Sequence, residues 1–131
     1  MQSESKKALI ADDNRVMLNI VRFNLERAGF AVSVARDGLE AWNLLQSGDF
    51  DLLITDYKMP KMNGETLCRR MREDASLRNV PVILLSARGL ELDLDQLREQ
   101  LGLYDVIFKP FSPSALMATV EACLKEKVHI S

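Results

Sequence analysis

The chain of 131 residues has the length of one ordinary domain, and 47% hydrophobic residues are enough for a proper core without suggesting a membrane protein. No run of about 18 apolar residues occurs and the first residues lack the apolar stretch of a signal peptide, so we expect a cytoplasmic protein that spans no membrane. The 17 basic and 19 acidic residues give a net charge of -2 without a basic stripe, which argues against direct nucleic-acid binding.

Five short apolar runs alternate with helical patterns, and each predicted strand is followed by its helix. The predicted strands cover residues 8–11, 31–35, 52–55, 80–85 and 106–108. This alternation predicts parallel βαβ units. Because right-handed crossovers must cover both faces of the sheet, we expect a three-layer α/β/α sandwich of the flavodoxin type. Its five-stranded parallel sheet would have the order 2-1-3-4-5.

The predicted helices have apolar faces and recognisable ends. The first ends at Gly29 and carries four residues on one face: Met17, Val21, Leu25 and Ala28. The second and third cover residues 38–45 and 64–72. The fourth ends at Gly102 and has an apolar stripe that we expect in the core: Leu90, Leu94, Leu97 and Leu101. The fifth begins with Ser112 as N-cap and Pro113 in its first turn.

These elements predict one domain over residues 7–126. A disordered segment would precede it at residues 1–6, and a C-terminal tail with a solvated His129 would follow at residues 127–131. Cys68 and Cys123 lie in helical segments without a partner at metal-ligand spacing, so we expect buried reduced thiols. Trp42, on the second helix, is expected in core or half-buried packing.

Polar residues follow four of the predicted strands. Asp12 and Asp13 follow the first strand, Asp56 the third, Ser86 the fourth and Lys109 the fifth. Ligands of parallel α/β sheets bind beyond the carboxyl ends of the strands, where the strand order reverses. Neighbouring strands lie about 4.8 Å apart, so the first two aspartates would flank Asp56. An extended Lys109 could cover most of the roughly 10 Å that separates it from Asp56.

This group of side chains points to phosphoryl chemistry with Mg²⁺. Two carboxylates about 4 Å apart repel each other by on the order of 4 kcal/mol at an effective dielectric of about 20, so the cluster needs a cation. Oxygen ligands alone favour Mg²⁺, which reserves positions for phosphate oxygens. Lys109 and Ser86 add donors for a phosphoryl group. Asp56 is the best candidate nucleophile, because it is central and the turn at residues 59–64 leaves it accessible.

Four motifs in this order resemble the receiver domain of bacterial two-component response regulators, of the chemotaxis-regulator kind, over about residues 7 to 126. They are Asp12-Asp13, T-D-Y-K-M-P-K-M-N-G at residues 55–64, Ser86-Ala87 and Lys109-Pro110-Phe111. The resemblance implies that Asp56 accepts a phosphoryl group from a histidine kinase or a histidine phosphotransfer protein. It implies that Asp13, Asp56 and the backbone carbonyl of Lys58 bind Mg²⁺, with Asp12 reaching the ion through water.

By the same likeness, Ser86 and Lys109 would contact phosphoryl oxygens, and the Lys109-Pro110 peptide would be cis. Three positions depart from the family pattern. Val106 stands where many relatives have the Tyr or Phe that rotates during signalling, which puts that rotation in doubt. Lys58 and Arg88 occupy positions that govern attack of water on the acyl phosphate, so we expect slow hydrolysis.

Each site residue also has a plain structural interpretation. Asp12 and Asp13 could be an N-cap and a first-turn acid of the first helix. Lys109 could be a surface lysine, and Ser86 a turn residue at a strand end. Only their joint placement with Asp56 favours a site over these separate explanations.

Three other functions compete with a phosphorylated receiver. A Mg²⁺-dependent phosphatase would have its nucleophile and acid two residues apart and a cap domain. A flavin carrier would need hydroxyl and glycine residues in place of the acidic first loop at residues 12–15. A degenerate receiver could serve as a constitutive protein-interaction module, although the intact site argues against it.

We therefore expect a regulatory domain rather than an enzyme for an external metabolite. Phosphorylation would be transmitted to the faces near the fourth helix, the fifth strand and the fifth helix. The target would be a downstream effector protein or a missing output domain. The protein would act as a monomer or as a phosphorylation-linked dimer.

Overall fold

The computed structural model describes residues 5–87 and 94–130, without the side chains of residues 94 and 127–130. Strands and helices alternate through these ranges. The strands are β1 (Lys7–Ala11), β2 (Ala31–Ala35), β3 (Leu52–Asp56), β4 (Val82–Ala87) and β5 (Asp105–Lys109). The helices are α1 (Arg15–Arg27), α2 (Gly38–Ser47), α3 (Gly64–Glu73), α4 (Leu94–Leu101) and α5 (Pro113–Ile130). Residues 1–4, Arg88 and Leu90 lie outside the described ranges.

The strands form one parallel sheet in the order β2-β1-β3-β4-β5, so the predicted fold class is confirmed. Ala11 of β1 lies opposite Thr55 of β3, and Ser86 of β4 lies opposite Phe108 of β5. The carboxyl ends of these four strands therefore meet at one edge of the sheet. The strand order reverses at the same place, because β1 has β2 on one side and β3 on the other.

Each face of the sheet has its own apolar core, because successive strand residues point to opposite faces. Helices α1 and α5 cover one face, and α2, α3 and α4 cover the other. The strands contribute Ile10, Ile54 and Ile83 to the core under α1 and α5. They contribute Leu9, Leu53 and Leu84 to the core under α2, α3 and α4. All six are fully buried, and each such side chain contributes about 1.5 to 3 kcal/mol.

Helix α1 differs slightly from its predicted face. Its buried residues are Leu18, Val21 and Leu25, whereas Ala28 is exposed. The reason is that the helix ends at Arg27, so that Ala28 is already the C-cap residue. Gly29 follows with a φ of 97°, the left-handed conformation that favours glycine after a helix, and it ends the helix as predicted.

The last helix begins as predicted, since the Ser112 hydroxyl accepts a hydrogen bond from the Ala115 N–H at 3.0 Å. Helix α5 then continues through residues that the sequence analysis assigned to a tail. Cys68 and Cys123 are buried, and Trp42 is half-buried. No helix among the described residues is long and apolar enough to cross a lipid bilayer.

Candidate functional site

The loop between β1 and α1 brings two carboxylates to the carboxyl edge of the sheet. Asp12 is fully buried, and its Oδ1 accepts a hydrogen bond from the Asn14 N–H at 3.0 Å. The side chain of Asn14 in turn accepts from the Met17 N–H at 3.1 Å, so Asn14 is the N-cap of α1. Asp12 and the exposed Asp13 therefore do not cap the helix, which excludes the plain N-cap interpretation.

Asp56 is the last residue of β3 and is 8% exposed. The chain turns sharply after it, and the Gly64 N–H donates to the Tyr57 carbonyl at 2.8 Å. A Cβ at Gly64 would collide with the carbonyl oxygen of Asp56. Glycine is required here because α3 begins directly against the backbone of Asp56.

Lys109 ends β5 and reaches across β4 to the two buried aspartates. Its Nζ lies 3.0 Å from Oδ2 of Asp12 and 3.2 Å from Oδ2 of Asp56. The peptide between Lys109 and Pro110 is cis, as the resemblance implied. Ser86 is 1% exposed and follows Leu85, the residue of β4 that lies opposite Asp56.

Three carboxylates form a cluster that could hold a metal ion. One oxygen from each of Asp12, Asp13 and Asp56 lies within 4.8 Å of the other two. Among the described residues, Lys109 is the one cation that forms ion pairs with this cluster, so three carboxylates face one ammonium there. A donor set of oxygens alone, with one exposed member, fits a hard divalent cation such as Mg²⁺.

Burial and charge shift the titration of the groups in the site. Burial raises the pKa of the Asp56 carboxyl, and the negative charge of Asp12 raises this pKa further. The nearby ammonium of Lys109 only partly offsets these effects. Burial by itself would lower the pKa of Lys109, but the hydrogen bond and charge of Asp12 and the charge of Asp56 raise it above its ordinary value. The site therefore keeps a protonated lysine between two buried carboxyl groups.

The other residues singled out in the sequence lie around this cluster. The side chain of Lys58 is exposed on the loop after Asp56, and Val106 packs half-buried against the core under α2, α3 and α4. Asn14 was missed as a cap, although asparagine before a helix is a recognisable cap signal. Lys61, on the loop after Asp56, has a φ of 68°, which nothing in a lysine predicts.

The fold and the site define a class of parallel α/β domain that carries an acidic, lysine-bridged site at the carboxyl edge of its sheet. Comparisons with known proteins identify this class. The family model of the response regulator receiver domain matches residues 8–121. The chain is 35% identical over 121 residues to the alkaline phosphatase synthesis transcriptional regulatory protein PhoP of Bacillus subtilis. It is 34% identical over 120 residues to the chemotaxis protein CheY1 of Helicobacter pylori.

The chain belongs to the receiver domains of response regulators, which are regulatory parts of two-component signalling rather than classical enzymes. These matches cover 92% of this chain and 49% of the Bacillus protein, and 90% of this chain and 96% of the Helicobacter protein. The chain thus spans about half the length of the first relative and nearly all of the second.

A solved structure extends the comparison. It is the receiver domain of a sensor histidine kinase from Pseudomonas aeruginosa PAO1, with a magnesium ion coordinated in its active-site cleft. The two domains superpose with a TM-score of 0.83 at 26% identity, over 92% of this chain and 98% of the other. The similarity therefore extends over nearly the whole of both domains.

Proposed function

We propose that the chain is a phosphorylation-driven switch in which Asp56 accepts a phosphoryl group from a histidine kinase or a histidine phosphotransfer protein. The observation that carries this proposal is the placement of the Asp56 carboxylate. It lies within 4.8 Å of the carboxylate oxygens of Asp12 and Asp13 and 3.2 Å from the Nζ of Lys109. The candidate nucleophile Asp56, the carboxylates that could bind a cation and the ammonium of Lys109 thus lie together at the carboxyl edge of the sheet.

The covalent step of the transfer joins a carboxylate nucleophile of this chain to the phosphoryl group of a phosphohistidine donor. An oxygen of Asp56 attacks the phosphorus and forms a P–O bond while the P–N bond to the donor breaks, and the imidazole nitrogen keeps the electron pair. Lys109 would then pair with an oxygen of the phosphoryl group, and the Ser86 hydroxyl would donate to another. The product is an acyl phosphate on the chain itself, so no external metabolite is consumed.

Bound Mg²⁺ would supply positive charge that offsets the charge of the phosphoryl oxygens and orients them. Asp12, Asp13, Asp56 and the backbone carbonyl of Lys58 would hold it. The unbalanced charge of the acidic cluster and the magnesium ion in the Pseudomonas domain support this assignment.

Helix α1 offers a docking surface for the phosphoryl donor. Val16, Ile20 and Phe23 recur at helical spacing on it and are 68%, 39% and 58% exposed. The helix begins two residues after Asp13, so a partner seated on these three side chains would lie beside the site. Exposed apolar groups of this kind mark surfaces for protein association. In transfer from a cognate kinase, Phe23→Ser should slow phosphorylation. Leu39→Ser, which changes an exposed leucine of α2 on the other face of the sheet, should leave the rate unchanged.

The proposed output is a change at the faces near α4, β5 and α5. Because Val106 has no aromatic ring that could rotate, the change would start from Ser86 and its loop. A downstream effector protein or an output domain would recognise it. The cytoplasmic location, the lack of direct nucleic-acid binding and the choice between monomer and phosphorylation-linked dimer stay predictions from the sequence.

A small-molecule phosphodonor such as acetyl phosphate, supplied with Mg²⁺, tests the acceptor directly. Intact-mass measurement should find one added phosphoryl group on the unaltered chain and none on Asp56→Asn. Asp49→Asn, which changes an exposed aspartate, should be phosphorylated normally. Equal yield in Asp56→Asn would show that the assignment is wrong, and an unaltered chain that is never phosphorylated would favour a constitutive interaction module.

A further inference from the structure

The loop that follows Asp56 contains a strained turn. Lys61 has a φ of 68°, a left-handed conformation that lysine rarely adopts. The Met62 N–H donates to the Pro60 carbonyl at 2.7 Å, so the bond spans only three residues. A γ-turn with a positive φ at its centre is rare and strained. Such strain persists only where neighbouring structure holds the turn in place.

The amino end of helix α2 supplies that support from a different βα unit. The Gly38 N–H donates a long hydrogen bond to the Pro60 carbonyl at 3.4 Å. Gly38 also packs against the peptide of Met62. A Cβ at Gly38 would collide with the carbonyl oxygen of Met62 and would stand 2.6 Å from its carbonyl carbon. Only glycine permits this approach without moving the turn.

A charged contact joins the same two segments. Oδ2 of Asp37 lies 3.6 Å from Nζ of Lys61, the residue at the centre of the turn. Oδ1 of Asp37 accepts from the Glu40 N–H at 2.8 Å, so Asp37 is also the N-cap of α2. Because α2 is anchored in the core through Ala41 and Leu45, the turn is held by a rigid element.

We propose that Asp37 and Gly38 are positioning residues that set the backbone carbonyl of Lys58 for Mg²⁺. Lys58 lies between Asp56, where β3 ends, and the supported turn at Lys61. Only Met59 and Pro60 separate Lys58 from Lys61, so we expect a displacement of the turn to shift the Lys58 peptide. This inference rests on the proposed Mg²⁺ site and assigns to the amino end of α2 a role in the geometry of that site.

Titration of the metal-free chain with Mg²⁺ by calorimetry tests the proposal, with thermal unfolding measured in parallel. Gly38→Ala should raise the Kd for Mg²⁺ by about 10- to 100-fold, as losses of supporting contacts around metal sites do. Gly48→Ala is the matched control at the other end of α2. A Cβ there would meet the Phe50 ring at 2.6 Å and the Leu44 carbonyl at 3.0 Å, so it perturbs the same helix far from the turn. The Kd of Gly48→Ala for Mg²⁺ should equal that of the unaltered chain, even if the melting temperature of this variant is lower.

A second pair of variants decides the matter if Gly38→Ala does not fold. Asp37→Asn keeps a good N-cap and removes the charge that faces Lys61. Glu40→Gln makes the same charge change on the first turn of α2 without touching Lys61. Asp37→Asn should weaken Mg²⁺ binding clearly more than Glu40→Gln does, and equal affinities of these two variants would overturn the proposal.

The outcomes separate this inference from the proposed function. If the unaltered chain binds no Mg²⁺, the proposed metal site itself is wrong. An unaltered chain that binds Mg²⁺, together with a folded Gly38→Ala that binds it equally well, would overturn only the role of α2. Parallel losses of affinity in Gly38→Ala and Gly48→Ala would also overturn it, because the effect would then follow helix stability.

Discussion

The Nζ of Lys109 lies 3.0 Å from Oδ2 of Asp12, a fully buried carboxylate 97 residues earlier in the chain. This contact joins β5 to β1 across the two strands between them and closes the site on one side. It also sets the electrostatic state of the site, because in the part of the chain that the structure describes Lys109 alone pairs with a cluster of three carboxylates. The excess negative charge leads to the first prediction.

Asp13→Ala should weaken Mg²⁺ binding by about tenfold or more, since a charged oxygen ligand is lost from the ion. Asp13 is exposed, so the fold should survive the change. In the unaltered protein, free Mg²⁺ at about 100 times its Kd should stabilise the fold by about 2.7 kcal/mol, visible as a higher Tm. Asp49→Ala is the control, and unchanged affinity in Asp13→Ala would contradict the assignment.

Asp56→Asn should raise the stability of the metal-free protein at neutral pH. Burial and the charge of Asp12 raise the pKa of Asp56, so the native state binds this proton more tightly than the unfolded chain does. Stability is therefore lost as the pH rises from the ordinary value of 3.8 through the folded pKa, and asparagine avoids that loss.

Thermal unfolding in a chelator from pH 4 to pH 8 checks this prediction. The Tm advantage of Asp56→Asn should be largest at the upper end and shrink towards pH 4. A variant that is less stable than the unaltered chain at pH 7 would mean that the attraction of Lys109 outweighs burial and repulsion.

Lys58→Asn should shorten the lifetime of the phosphorylated protein. The exposed Lys58 lies two residues after Asp56, where its charge could hold a phosphoryl oxygen and obstruct the attacking water. The decay of phosphorylated chain after removal of the donor measures this lifetime. Lys6→Asn removes an exposed lysine at the opposite end of the sheet and should leave the decay unchanged. An equal decay rate in Lys58→Asn would contradict the prediction.

Ser86→Ala should remove the phosphorylation-dependent change in hydrogen exchange at α4, because the buried Ser86 hydroxyl is the donor expected to follow the phosphoryl group. Val106→Ala should leave that change in place, since the half-buried Val106 fills space and has no ring to rotate. The reverse pattern, with Val106→Ala abolishing the change and Ser86→Ala sparing it, would contradict this route of signalling.

Arg72→Met should destabilise the fold by about 2 to 6 kcal/mol, from four hydrogen bonds worth about 0.5 to 1.5 kcal/mol each. The guanidinium of Arg72 donates to four backbone carbonyls at distances of 2.7 to 3.1 Å: those of Leu101, Arg78, Val80 and Gly102. Arg69→Met on the same helix loses an exposed pair with Glu65 and should cost about 0.5 kcal/mol or less. Urea unfolding compares the two, and equal costs would contradict the prediction.

The sequence by itself determined the architecture of this protein and the membership of its acidic cluster. Apolar alternation and helix-end signals such as Ser112-Pro113 are local, so they could be recognised without a structure. Parallel strands end at one edge of the sheet, so the convergence of Asp12, Asp56 and Lys109 followed from the strand order.

Only the tertiary structure decided how that cluster is supported. Nothing local predicts that Lys61 has a positive φ, that Gly38 packs against the loop after Asp56, or that Arg72 binds four carbonyls. These features depend on close approaches between segments that are distant along the chain. Such approaches follow from how the segments pack, and they leave no periodic pattern in the sequence.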